Sequence, residues 1–201
     1  MAMNFKRFLI IECILLQRLM LLALLVGVLP AAMAVSSEPP PRFVIRNAST
    51  ILINQVYYLN ANIDYRFSAA ALEALDNGVP LVVELTIEIE REREYVWDET
   101  ATSLRQRYQL SYEALTRRYV VTNLNSGADT YYADRVTAIA AMGEVVKLPI
   151  LDADLLNPDE KYTVRLQTSL YLDALPVPMR IVGYFSSDWR ISSEWFQWPL
   201  Q

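Results

Sequence analysis

The chain has no histidine and one cysteine, and these two shortages close off most familiar catalysis. Without histidine there is no Ser-His-Asp or Cys-His arrangement, and the commonest general base and metal ligand are missing. Cys13 lies in an N-terminal stretch that reads as removable, so the remainder can form no disulfide, thiol nucleophile or thiolate metal site. Lys147 and Lys161 are the only lysines beyond that stretch, which leaves a Ser-Lys dyad few candidates. Glycine is sparse, and no Gly-rich active loop appears. A carboxylate pair of the glycosidase kind is the one chemistry left open, and it needs two groups about 5 to 9.5 Å apart in a cleft. Asp64, Glu84, Asp98 and Glu113 are candidates that no spacing singles out. The expectation is a non-enzyme with no cofactor and no metal.

What is present begins with an address. Lys6, Arg7 and Arg18 give a positive start, Leu19 to Leu29 is apolar apart from Gly27, Pro30 breaks the run, and Ala32-Met33-Ala34 supplies small residues. Charged, then apolar, then small is the order of a secretory signal, which predicts export with cleavage after Ala34. The alternative is an uncleaved anchor built from this run and Phe8 to Leu16. Glu12 and Gln17-Arg18 interrupt it, and a spanning helix needs about 20 apolar residues. Cleavage leaves 167 residues of net charge −7, the size of one domain. That charge discourages nucleic acid and anionic headgroups, so membrane contact is expected only through the signal segment if it stays uncleaved.

Val35 to Arg42, with Pro39-Pro40-Pro41, reads as an extended tether, and residues 43–201 as a single β-rich domain. Val56 to Phe67 alternates strictly, with Tyr57, Leu59, Ala61, Ile63, Tyr65 and Phe67 on one face. Phe43 to Ile53 is its expected partner, joined through Asn54-Gln55. Ser68 to Asn77 predicts a short helix capped by Ser68, with Gly78 as the left-handed residue after the last turn. From Leu81 the period of two resumes and carries into the tract Glu88 to Glu94. A hairpin with Arg105 to Glu113 is expected there, across the loop Asp98 to Ala101. One register pairs Trp97 with Thr102, Glu94 with Arg105, Glu92 with Arg107, Ile89 with Leu110 and Ile87 with Tyr112, matching charge on one face and apolar groups on the other. Tyr119 to Leu124, Tyr162 to Leu172, Ile181 to Phe185 and Arg190 to Trp198 read as further strands. Tyr132 to Met142 reads as a second helix stopped by Gly143.

Several stretches together resemble one family: Glu73-Ala74-Leu75-Asp76-Asn77-Gly78-Val79-Pro80-Leu81, Tyr119-Val120-Val121-Thr122-Asn123-Leu124, Leu175-Pro176-Val177-Pro178-Met179-Arg180, and Asp188-Trp189 followed by Ser193-Glu194-Trp195. They are similar to the proteobacterial exported proteins grouped as domain of unknown function 4390, over Phe43 to Leu200. Met179 stands where Leu is expected, a volume-conserving exchange. The resemblance implies an envelope protein without an assigned activity and carries over no catalytic residue. Members are often encoded beside a membrane sensor kinase of the nitrogen-regulation type, which implies a signalling neighbourhood.

Two clusters invite sharper readings. Asp152, Asp154, Asn157, Asp159 and Glu160 concentrate oxygen ligands, but an EF-hand needs Gly and Glu where Asn157 and Thr163 stand; a cap followed by an Asn-Pro turn accounts for them. Trp189, Trp195 and Trp198 are core residues by default, yet Trp198 is at odd separation from the other two, so one regular strand face cannot bury all three. They form the candidate partner surface. Leu175-Pro176-Val177-Pro178 reads as a rigid connector. The expected fold is mainly β, a sandwich of antiparallel sheets with two short helices. The expected function is a periplasmic, non-enzymatic interaction protein that binds an envelope or membrane protein and modulates a membrane sensor kinase. The alternative is a small-molecule or lipid-binding module using the space between the sheets.

Overall fold

The computed structural model describes residues 40–91 and 99–200. The stretch expected to be a secretory signal, most of the expected tether, Glu92, Glu94, Trp97 and Asp98 lie outside the described residues. Two antiparallel sheets share one core. The smaller has the order β1-β2-β7, and the larger β6-β5-β4-β3-β8-β9.

Strands β1 (Arg42–Ile53) and β2 (Val56–Arg66) form the expected hairpin. Its turn residues Asn54 and Gln55 both have positive φ, as a two-residue turn matched to strand twist requires. The alternation predicted for β2 is observed: Leu59, Ala61, Ile63, Tyr65 and Phe67 are buried. Phe43 packs edge-on against Tyr65 and Phe67, with centroids 4.8 and 5.2 Å away. The Tyr65 hydroxyl lies 3.4 Å from Thr168 Oγ1 in the opposite sheet. Burial raises its pKa well above the usual phenol value.

Helix α1 (Ala69–Asp76) starts at Ser68, whose Oγ accepts from the Ala71 amide at 3.1 Å. Gly78 follows at φ +85°, a conformation that favours glycine. Strand β3 (Leu81–Arg91) then crosses the middle of the larger sheet with Leu81, Val83, Leu85, Ile87 and Ile89 inward. The strand reading of the Glu88 tract holds as far as Arg91.

The hairpin of β3 with β4 (Glu99–Glu113) has a different register from the expected one. Ile89 faces Thr102, Ile87 faces Leu104, Leu81 faces Leu110, and Arg107 faces Glu84. From Leu81 to Ile89 the offset from the expected pairing is even, so these side chains keep their predicted faces; a bulge then shifts the register between Ile89 and Glu90, and alternation alone cannot choose among even offsets. Arg107 bonds Glu84 at 2.6 Å. Glu88 and Glu90 turn instead to Arg165 of β8 (Tyr162–Leu170).

Strands β5 (Arg118–Asn123) and β6 (Ala128–Tyr132) continue the sheet through the turn at Asn125-Ser126-Gly127. The second helix, α2 (Arg135–Met142), begins three residues later than expected because Asp134 caps it, its Oδ1 accepting from the Thr137 amide at 2.8 Å. Gly143 does end that helix, but not through positive φ: a Cβ there would lie 2.1 Å from the Ile63 carbonyl oxygen. Strand β7 (Glu144–Asp152), which the sequence pattern did not reveal, pairs with β2 through two register shifts.

The largest correction is near the C-terminus. Ile181 to Phe185 is not a strand; Val177–Phe185 is a third helix, α3. Pro176 caps it and Pro178 sits in its first turn, where a missing N–H costs nothing. Arg190 to Trp198 is not continuous either: only Phe196–Pro199 forms β9. Before it, Ser193 substitutes for the ladder, its Oγ accepting from the Thr168 amide at 3.1 Å.

Candidate interaction surface

The three tryptophans go to three places. Trp189 is 6 % exposed and packs under Gly183 of α3. Trp198 turns into the space between the sheets, where its Nε1 donates to Thr50 Oγ1 at 3.3 Å and its ring tilts against Phe196. Trp195 faces the other way and stacks on Arg165, with 4.4 Å from the guanidinium carbon to the ring centroid. The odd spacing is thus expressed as opposite faces. Only Trp195 and Trp198 keep part of their surface in solvent.

The outer face of the larger sheet is a charged lattice. Arg107 lies over the Tyr171 ring at 4.0 Å while bonded to Glu84, a bond that raises the guanidinium pKa further. Arg165 reaches Glu90 at 2.5 Å, and Arg91 reaches Glu160 at 3.1 Å. These charges are matched among themselves. The three candidate carboxylates among the described residues are not brought together. Asp64 is held by Arg46 and Arg66 on the smaller sheet, Glu84 by Arg107 on the larger, and Glu113 accepts from Thr116 at a hairpin end.

The acidic stretch forms a 3-10 turn, Ala153–Leu155, followed by the Asn157 turn, in which Asn157 Oδ1 accepts from the Asp159 amide at 3.1 Å. Glu160 accepts from the Tyr162 hydroxyl at 3.0 Å. An open cleft of about 670 Å³ borders this segment, with Gln55, Tyr57, Asp154, Lys161 and Leu200 in its walls. A second cleft, of about 480 Å³, lies where Val136 and Ile139 of α2 approach Asp64 and Tyr65. Both open at the margins. The space between the sheets is occupied by aromatic and aliphatic side chains.

The feature sequence reasoning missed is the outer face of α3. Val177 is 66 % exposed, Ile181 62 %, Val182 58 %, Tyr184 50 % and Phe185 85 %. The helix is held from its other side. Gly183 is buried against Leu172, Leu175 and Trp189. Arg180 Nη2 donates to the Asp173 and Leu175 carbonyls at 2.6 and 3.2 Å, and the Tyr184 hydroxyl donates to Asp173 Oδ1 at 2.7 Å, which raises the phenol pKa. Both polar side chains of α3 are therefore turned toward its supports, with Arg180 Nε buried and left without a partner among the described residues, and what the helix shows to solvent is largely apolar. Exposed apolar residues scattered singly are ordinary, whereas five on one short helix form a candidate contact surface. The signal was in the sequence: Val177, Ile181 and Phe185 are spaced i, i+4, i+8.

Fold and surface together define a two-sheet antiparallel β protein with a packed interior, charge-matched sheet faces and one apolar helix displayed on top. The family model described as Domain of unknown function (DUF4390) matches residues 41–199. The chain belongs to that family. Neither the curated proteins nor the solved structures hold a match to it. No helix among the described residues is long and apolar enough to cross a membrane.

Proposed function

We propose that this chain is a non-enzymatic accessory protein of the cell envelope, exported to the periplasm, which acts by docking through α3 onto an envelope or membrane protein and modulates a membrane sensor kinase. The observation that carries this reading is the exposed apolar face of Val177, Ile181, Val182, Tyr184 and Phe185 on a helix whose Arg180 Nη2 and Tyr184 hydroxyl are bonded to the segment beneath it. Leaving that face in water forgoes about 25 cal/mol for each Å² that a partner would cover. The filled space between the sheets speaks for surface contact over the alternative, an enclosed ligand. The docking element is α3, with Trp189 as its support rather than its tip.

The test places a photo-crosslinking amino acid at Phe185 in intact cells, with the same amino acid at Val136, 77 % exposed on α2, as the control. The reading expects a discrete protein adduct from position 185 and none from position 136. Equal, diffuse labelling at both positions would remove α3 as the docking element.

A further inference from the structure

We infer that the partner of α3 is a second copy of this chain, bound through a two-fold antiparallel helix pair centred on Ile181. The inference rests on the reading of α3 as the docking element and adds the identity of what docks. Val177, Ile181 and Phe185 form a single i±4 ridge along the exposed side of α3. In an antiparallel pair that crosses at Ile181, the ridge is its own complement. Ile181 meets Ile181 on the axis, and the small Val177 of each copy lies against the large Phe185 of the other. A two-fold interface requires this kind of self-complementarity, the same patch serving both subunits.

Charge and area point the same way. Arg180 turns to the Asp173 and Leu175 carbonyls and Tyr184 to the Asp173 carboxylate, so the ridge of Val177, Ile181 and Phe185 carries no charged side chain of its own with which to select an acidic or basic partner. An interfacial helix on an anionic bilayer carries several Lys and Arg along its polar face, whereas Val177–Phe185 contains one cation, Arg180, and no lysine. Five side chains exposed by 50 to 85 % offer on the order of 500 Å² per copy, so a pair that covered all of them would bury at most roughly 1,000 Å², at the threshold of a specific interface and below the ~1,600 Å² standard. The dimer is therefore weak and reversible.

The test uses the protein purified from cells expressing the full-length chain, with Cys13→Ser removing the natural cysteine. Sedimentation equilibrium should show the mean mass rising from monomer toward dimer between roughly 10 µM and 1 mM, the range expected of a small interface. Ile181→Asp, which puts a carboxylate on both sides of the axis, should hold the protein monomeric over that range, and Val136→Asp should not; unchanged circular dichroism would show that both remain folded. Under mild oxidation Ile181→Cys should crosslink to itself. Val177→Cys mixed with Phe185→Cys should crosslink faster than either alone. A protein that stays monomeric at 1 mM, or cysteines that show no preference for the mixed pair, would overturn the two-fold pairing. If position 185 in cells then captured a different chain, docking through α3 would stand without it; if it captured nothing, both would fall.

Discussion

Gly143→Ala is the substitution whose cost follows most directly from the geometry. Gly143 has φ −78°, which any residue adopts, so alanine meets no backbone strain there. On propensity and unfolded-state entropy alone it should stabilise by up to about 1 kcal/mol. Space decides otherwise. A Cβ would stand 2.1 Å from the Ile63 carbonyl oxygen, and relieving that contact requires the strand and the helix end to part by about 1 Å, an overpacking that costs about 1 to 3 kcal/mol. The Ile63 amide donates to the Gly143 carbonyl at 2.9 Å, so the same movement strains a hydrogen bond worth about 1 kcal/mol. With the propensity gain set against these terms the net loss should be about 1 to 3 kcal/mol, which for a domain of this size lowers Tm by roughly 2 to 12 °C. Urea titration and thermal melting, read by circular dichroism, measure both numbers. A variant as stable as the parent, or more so, would refute the close approach of helix and strand.

Gly78 poses the opposite case, with open space around it and φ +85°, so Gly78→Val should cost more than the roughly 1 kcal/mol of a propensity effect; unchanged melting would show that the turn needs no left-handed residue. Leu110→Ala should cost about 2 to 5 kcal/mol, since Leu110 is fully buried between β3 and β5. Reversing the Glu84–Arg107 pair should show coupling, in a double-mutant cycle, that the Glu92–Arg107 combination lacks. Burial raises the Tyr65 and Tyr108 phenols above their ordinary value of 10.0. The stability they contribute is complete below that value and is lost as pH climbs through the raised pKa, so alkaline unfolding should set in above about pH 10 and be blunted by Tyr65→Phe. Asp134 runs the other way. Hydrogen bonds from Thr137 lower its pKa, so its cap persists below the ordinary carboxylate range and fails as pH falls through the lowered value; Asp134→Asn, which keeps an acceptor, should remove that acid dependence.

Strict alternation makes β2 legible in the sequence, because it has one face in the core and one toward solvent, and β3 shows the same alternation of residue type although Val82 and Glu84 on its outer face are buried as well. Ser68 and Gly78 announced α1 because a cap oxygen and a left-handed residue are local requirements. The register of β3 with β4 was not legible: even offsets leave every face unchanged, and the choice among them comes from β5 and β8 on the flanks. Strand β7 escaped notice because its register shifts and Pro149 break the period of two, which an edge strand tolerates. Helix α3 was misread because Ile181 and Val182 favour strands and two prolines looked like a connector, although proline in a first turn is compatible with helix. The exposed apolar face of α3 was therefore hidden by an error in secondary structure, not by any weakness of its apolar spacing.

The most direct test of the account measures whether the α3 face is covered where the protein works. With Cys13→Ser as background, a single cysteine is placed at Ile181 or at Val136, and its labelling by a small maleimide is timed in intact cells and in dilute purified protein. The account predicts several-fold slower labelling at position 181 in cells than in dilute solution, with equal rates at position 136. Equal rates at position 181 in both settings would show that nothing docks on α3 and would contradict its central claim.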